Sequence, residues 1–231
     1  MTYELEPQII LVDKPPGITS HDVVDWWRRE LRPLHDGKLL VGHCGTLDPL
    51  ATGLLIILIG KAVKAQAEFL HHDKQYTATI QLGAATDTGD TEGEVSKTAA
   101  VPPLTLAQIQ QTANTLLGTH VQPVPLYAAA KVNGKKLYEY ARHNQDPPWR
   151  PIRYSTITTF TVNSFNPTGQ TIDCTISCNA GTYIRSVATM LADKLGTVGH
   201  LTALRRISIE RWRVDDALPL TQHIPLRSPL A

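Results

Sequence analysis

The chain has 231 residues, 42% of them hydrophobic and 19% charged, an ordinary globular balance that excludes wholesale disorder. Its formal net charge of +1 lacks the basic excess by which many nucleic-acid binders announce themselves, so any case for RNA rests on local clusters. Three cysteines, Cys44, Cys174 and Cys178, form no C-x-x-C pair, which argues against a disulfide framework or zinc site and for a reducing cytoplasm.

In chain order, residues 1–8 carry Glu4 and Glu6 and no long apolar core, unlike a signal peptide. Residues 8–12 are an apolar run stopped by Asp13-Lys14-Pro15-Pro16-Gly17, which predicts a buried strand and a turn. Thr19 or Ser20 can cap a helix in which Val23, Val24, Trp27 and Leu31 recur at helical spacing up to Pro33. Residues 34–53 hold five glycines or prolines and are expected to be mostly loop. They feed into residues 54–59, a continuous apolar run that predicts a strand buried on both faces and is too short to span a bilayer.

A helix is expected over 61–70 and an alternating, half-buried strand over 75–82. Residues 86–94 are acidic and glycine-punctuated, hence a surface loop, and 105–117 reads as a helix capped by Thr105 and closed by Gly118. Residues 122–153 are rich in proline, tyrosine and basic side chains, with a short helical centre at 137–142. Strands follow over 156–165 and 171–178, a helix over 183–195, and a last strand over 204–214. The tail from Leu218 is expected to loop along the surface. Strands and helices mix without a βαβ alternation, which predicts an α+β fold with a mixed, largely antiparallel sheet.

Asp48 is the leading candidate for chemistry. An aspartate before proline is most often a turn former. Here, however, it sits on a glycine-rich loop directly ahead of a fully apolar strand. Pro49 restricts it to an extended backbone, and the glycines let the chain approach a ligand closely. Such a carboxylate could be a nucleophile, a base or a metal ligand. Metal is the weakest of these. The loop 87–94 lacks calcium-loop spacing, since Gly89 and Glu92 stand where acidic and glycine positions belong. Residues 53–61 are not a phosphate loop, Ala62 standing where Ser or Thr is needed. Across residues 131–153, Lys131, Lys135, Lys136, Arg142, Arg150 and Arg153 outnumber Glu139 and Asp146 by four charges, with Tyr138, Tyr140 and Trp149 interleaved. Cations for phosphates and rings for unpaired bases suit a structured RNA, although a solvated flap has the same composition. Arg205, Arg206, Arg211 and Arg213 form a second basic region or an ordinary charged strand face.

Several motifs in fixed order resemble the TruB tRNA pseudouridine synthases. They are Val12-Asp13-Lys14-Pro15-Pro16-Gly17-Ile18-Thr19-Ser20, the run Gly42-His43-Cys44-Gly45-Thr46-Leu47-Asp48-Pro49-Leu50-Ala51-Thr52-Gly53, and Lys74-Gln75-Tyr76. Gly134-Lys135-Lys136-Leu137-Tyr138-Glu139-Tyr140-Ala141-Arg142, Gly181-Thr182-Tyr183-Ile184-Arg185 and Leu204-Arg205-Arg206 follow. The resemblance covers about residues 9–214. It implies a pseudouridine synthase fold and a cofactor-free, metal-free isomerisation of uridine 55 in the T-arm loop of tRNA. The target base is flipped from its stack, and Asp48 acts as nucleophile.

By the same resemblance Tyr76 stacks on the flipped base, Tyr183 and Leu204 line the pocket, Arg185 pairs with Asp48, and His43 contacts the RNA near the vacated position. Lys64 is a weaker candidate for a phosphate contact. Each has a plainer reading: Tyr76 and Tyr183 as core-edge aromatics, Leu204 as core, Arg185 as a structural ion pair. The implied organisation is a catalytic domain over 1–214, with a thumb-like RNA-binding insertion at about 122–153 and a short tail over 215–231 in place of a full PUA-type domain. Cytoplasmic location, a monomer and no membrane partner complete the expectation. Two rivals stand beside it: a guide-RNA-dependent enzyme of the Cbf5-like branch, and a tRNA-folding chaperone in which catalysis is secondary.

Overall fold

The structure is a computed structural model describing residues 7–35 and 37–220. Contacts divide the chain into two compact units: the described residues up to Tyr76 together with those from Arg205 onward, and Thr77–Leu204.

In the first unit, strand β1 (Gln8–Lys14) leads through a proline turn to helix α1 (Ser20–Leu31). Thr19 caps α1 and forms a reciprocal box with Asp22, satisfying two of the first-turn donors. Residues Arg32–Leu34 form a 3-10 turn led by Pro33. Strand β2 (Val41–Cys44) follows, inside the stretch expected to be loop. It pairs antiparallel with β3 (Thr52–Ile59), Cys44 opposite Ile56. The error has a simple cause: a four-residue strand containing glycine has too little pattern to be read alone.

The all-apolar β3 is explained by two cores. Leu55, Ile57 and Ile59 meet Val23, Val24, Trp27 and Leu31 of α1, while Leu54, Ile56 and Leu58 meet Phe69, Ile209 and Val214. Six consecutive fully buried side chains, each stabilising by roughly 1.5–3 kcal/mol, make this strand the rigid centre of the unit. After it, the helix expected over 61–70 is split into a 3-10 segment, Gly60–Ala65, and a short α2 (Gln66–Leu70). Strand β4 (Lys74–Leu82) begins in this unit and alternates as expected, with Tyr76, Ala78 and Ile80 buried.

In the second unit, β5 (Ala84–Thr86) and β6 (Val95–Thr98) pair and bracket the acidic loop. That loop is not merely surface: Asp90 is 2% exposed, accepting from Thr88 Oγ1 and the Glu92 amide. Helix α3 (Leu106–Asn114) has the predicted Thr105 cap and buries Ile109 and Ala113. Strand β7 (Gly118–Pro123) is followed by the small hairpin β8 (Lys131–Val132) and β9 (Lys135–Lys136), and by α4 (Leu137–Arg142). Strands β10 (Ile152–Asn166) and β11 (Thr171–Cys178) pair antiparallel, and β7 pairs antiparallel with β10. Helix α5 (Ile184–Lys194) buries Val187, Ala188, Leu191 and Ala192. Here the strands run in the order β12, β4, β11, β10, β7.

The last predicted strand is a hairpin, β12 (Gly199–Ile209) turning at Glu210 into β13 (Trp212–Arg213). Glu210 takes a positive φ of 49°, so the chain reverses where a continuous strand was expected. Back in the first unit, β14 (Leu218–Pro219) runs parallel to β1, in part of the tail expected to be loop. Residues 221–231 lie outside the described residues. The order there is β14, β1, β3, β12, and pairing is antiparallel for most strands, giving an α+β fold with a mixed, largely antiparallel sheet.

Candidate active site

The loop carrying Asp48 is clamped along its length, all within the first unit. Ahead of Asp48, Ser20 Oγ accepts from the Leu47 amide at 2.8 Å and donates to the Leu47 carbonyl at 3.1 Å. Asp48 itself opens a β-turn, its carbonyl accepting from the Ala51 amide at 3.0 Å, with Pro49 at the position its fixed φ favours. The Pro49 carbonyl accepts from the Gly17 amide at 2.9 Å and from Lys14 Nζ at 3.2 Å.

Lys14 is wholly buried and spends its ammonium on three carbonyls, those of Pro15, Ile18 and Pro49. Those bonds offset the desolvation of a charge held at this depth. A lysine lodged between the opening motif and the Asp48 loop therefore ties one to the other. Arg206, 1% exposed, does the same from the far side, donating to the carbonyls of Gly45 at 2.9 Å and Leu54 at 2.7 Å. Neither role was read from the sequence, where Lys14 looked like part of a turn and Arg206 like a surface charge. The signal available was that both lie inside the motifs quoted above.

Gly53, the second residue of β3, has no room for a side chain. Its φ is +98°, and a Cβ there would collide with the Arg206 backbone, opposite which it pairs. Asp48 is half-buried, and the residues around it, Leu47 and Ala51, are buried.

His43 lies on β2, half-buried, with Gln66 Nε2 donating to its carbonyl at 2.7 Å. Burial, then the neighbouring charges of Arg206 and His21, lower its pKa to about 4, so the ring is neutral at pH 7. Its Nδ1 is buried without a hydrogen-bond partner among the described residues. Burial pushes the Cys44 thiol up to about 11, which keeps it protonated at neutral pH. Tyr76 is 6% exposed on β4, and Lys64 is exposed in the 3-10 segment.

The remaining site residues belong to the second unit. Arg185 is 5% exposed, donating to the carbonyls of Thr88 and Tyr127, both at 2.8 Å, with Nε 3.7 Å from Asp90 Oδ2. It thus pins the acidic loop and the entry to residues 128–153 to the start of α5. Tyr183 is the N-cap residue of α5 and packs beside Val124, Ala128, Val132 and Leu137. Leu204 is buried at 8% exposure. Among the described residues no group of three His, Cys, Asp or Glu side chains is placed to hold a metal.

A family model described as the TruB family pseudouridylate synthase N-terminal domain matches residues 34–184. The chain belongs to the TruB family of pseudouridylate synthases. A protein named tRNA pseudouridine synthase B from Psychrobacter cryohalolentis is 44% identical over 92% of this chain and 58% of its own length. One of the same name from Opitutus terrae is 41% identical over 92% of this chain and 85% of its own. The chain therefore spans little more than half of the Psychrobacter relative and most of the Opitutus one. Among solved structures, a chain of a Cbf5-Nop10-Gar1 complex superposes with a TM-score of 0.68 at 28% identity, over 92% of this chain and 52% of that one.

The chain also carries the basic, aromatic segment. Lys136 Nζ and Arg142 lie over the Tyr138 ring, each at 5.2 Å from its centroid, and Lys135 Nζ lies 4.4 Å over Tyr140. Tyr127 donates to Asp87 at 2.9 Å. Rings expected to receive bases are already faced by cations, which leaves Trp149, 54% exposed, as the most open aromatic of the segment. Of the second basic region, Arg205 forms a two-pronged pair with Asp13 at 2.8 and 2.9 Å, and Arg211 lies over Trp212. It is therefore part of the frame more than a free basic face.

Proposed function

We propose that this protein isomerises uridine to pseudouridine in tRNA, at position 55 of the T-arm loop, without a cofactor. The observation that carries the reading is the Asp48 loop. A carboxylate stands on a turn whose flanks are fixed by Ser20, Lys14, Gly17 and Arg206, in the family whose named relatives act on tRNA. Such pre-set geometry is what nucleophilic catalysis by a weak nucleophile requires.

In the proposed sequence the target uridine leaves its stack and enters the pocket, at a cost of a few kcal/mol. Tyr76 stacks on the uracil, and its hydroxyl is the candidate group for the proton transfer at C5. Asp48 forms a transient bond at the sugar C1′ or at the uracil, the N-glycosidic bond breaks, the retained uracil rotates, C5 joins C1′ as the bond to Asp48 is released, and the C5 proton leaves while N1 takes one up. Arg185, Tyr183 and Leu204 serve substrate binding, as the family resemblance implies. A neutral His43 suits a neighbour of the vacated base, since a ring without charge can enter a stack without desolvating an ion. The basic segment over 122–153 grips phosphates as a thumb-like insertion within a catalytic domain over 1–214. The chain works as a cytoplasmic monomer.

Likeness to the Cbf5 chain favours a second reading, a guide-RNA-dependent synthase. The higher identity to proteins named tRNA pseudouridine synthase B weighs against it. Purified protein incubated with an unmodified tRNA transcript or a T-arm minihelix, followed by carbodiimide adduct mapping, separates the two. A single adduct at uridine 55 with protein alone supports the proposal. Modification only after addition of a guide RNA and partner proteins overturns it.

A further inference from the structure

The start of α5 is held by a polar cluster that none of the residues above accounts for. Gln122 on β7 is 1% exposed and Ser155 on β10 is fully buried. Gln122 Oε1 accepts from Ser155 Oγ at 2.6 Å and from the Tyr183 amide at 3.1 Å. Tyr183 is the N-cap of α5 and makes no side-chain cap bond of its own. In an ordinary capping box, the N-cap amide is received by a side chain three residues further along the same helix. Here that acceptor arrives instead from a strand about sixty residues earlier in the chain, the separation of Gln122 and Tyr183.

The amide's orientation is fixed by this contact. Turning it over would set an NH2 group against the Tyr183 N–H, donor against donor. In the orientation observed, Gln122 Nε2 is buried and has no partner among the described residues. A residue present only to fill space at this depth would be apolar and would leave no unpaired donor. The glutamine is therefore explained by its oxygen. Next to it, Asn179 Oδ1 accepts from the Thr156 amide at 2.8 Å and from Thr182 Oγ1 at 2.7 Å, and Asn179 Nδ2 donates to the Tyr154 carbonyl. Backbone from Asn179 to Tyr183 is thus tied side chain by side chain to the end of the sheet.

We infer that Gln122 is a positioning residue for Tyr183. It fixes the backbone from which the Tyr183 ring is presented to the flipped uracil and from which Arg185, two residues on, is presented to its partners. This role rests on the pseudouridylation reading. It places a determinant of pocket geometry on β7, at the entrance to the thumb-like insertion.

Two variants and two readouts test it. Gln122→Met keeps the volume but removes the acceptor oxygen; Gln122→Glu keeps an acceptor. The expected result for Gln122→Met is a fall in kcat of roughly tenfold to a hundredfold on a tRNA transcript, the scale of a small misplacement, with KM near wild type. Faster amide hydrogen exchange at Tyr183 should accompany it. Gln122→Glu should recover most of both. Should Gln122→Met not fold, Ser155→Ala, which frees the amide from its hydroxyl, should show the same split in milder form. Wild-type kcat in Gln122→Met, or Gln122→Glu as impaired as Gln122→Met, overturns the inference. So does an unchanged Tyr183 exchange rate. A wild-type chain that makes no pseudouridine on any RNA removes the functional reading and this role together, and is recognised before any variant is compared.

Discussion

At the scale of single residues, the site is set by groups whose charge state burial controls. His43 is the clearest case. Its folded pKa of about 4 lies below the ordinary 6.5, so the unfolded chain takes up the proton first as pH falls. Stability contributed by this group is intact above about 6.5 and is lost progressively as pH falls toward 4. Urea unfolding of wild type and His43→Gln across that window should show the wild type losing stability more steeply toward acid. Parallel curves would count against a buried, neutral His43. Sequence alone supplied the identity of His43 as a candidate through its motif. It could not supply the charge state, which depends first on burial and then on Arg206, 163 positions away in the chain and adjacent only once folded.

At the scale of elements, the Asp48 loop is a bridge between β2 and β3 whose shape is imposed from outside. Lys14→Met takes the buried donor from the carbonyls of Pro15 and Ile18 and one of two donors from that of Pro49, which should cost about 2 kcal/mol or more of stability. The same change loosens the residue next to Asp48, so kcat should fall beyond what the melting shift explains. Chemical denaturation and steady-state kinetics on the same preparation check this; unchanged kcat with lowered stability would confine Lys14 to the fold. Gly53→Ala faces both a left-handed φ and the Arg206 backbone, and a cost above about 2 kcal/mol is expected from its melting curve.

These contacts also mark the limit of what the sequence disclosed. Strands such as β3, β4, β10 and β11, and helices α1, α3 and α5, were legible because their burial follows a period of two or 3.6, or because burial on both faces leaves no polar position. The strands β2, β5, β6, β7, β8, β9 and β14 were not, being short or specified by their partners. Candidate residues were legible only through motif resemblance. The devices that hold them, the Lys14 cage, the Arg206 clamp and the Gln122 acceptor, join positions far apart in the chain, and no local pattern announces them.

At the scale of the whole molecule, near-neutral charge and the proposed RNA substrate are reconciled by concentrating cations in one segment. Lys131, Arg142 and Arg153 are exposed there. Replacing Lys131 and Arg153 with glutamine should weaken tRNA binding and lower the slope of log K against log salt by about 1–2 if each neutralises a phosphate. The melting temperature should stay unchanged. Filter binding over a salt series is the measurement, and an unaltered slope would relegate the segment to a solvated flap.

Everything proposed here turns on Asp48 as nucleophile, and tritium release from tRNA labelled with [5-³H]uridine tests that most directly. Wild type should release tritium from the T-arm uridine, whereas Asp48→Ala and Asp48→Asn should release none above background while binding the tRNA comparably. Substantial turnover by Asp48→Ala would contradict the account.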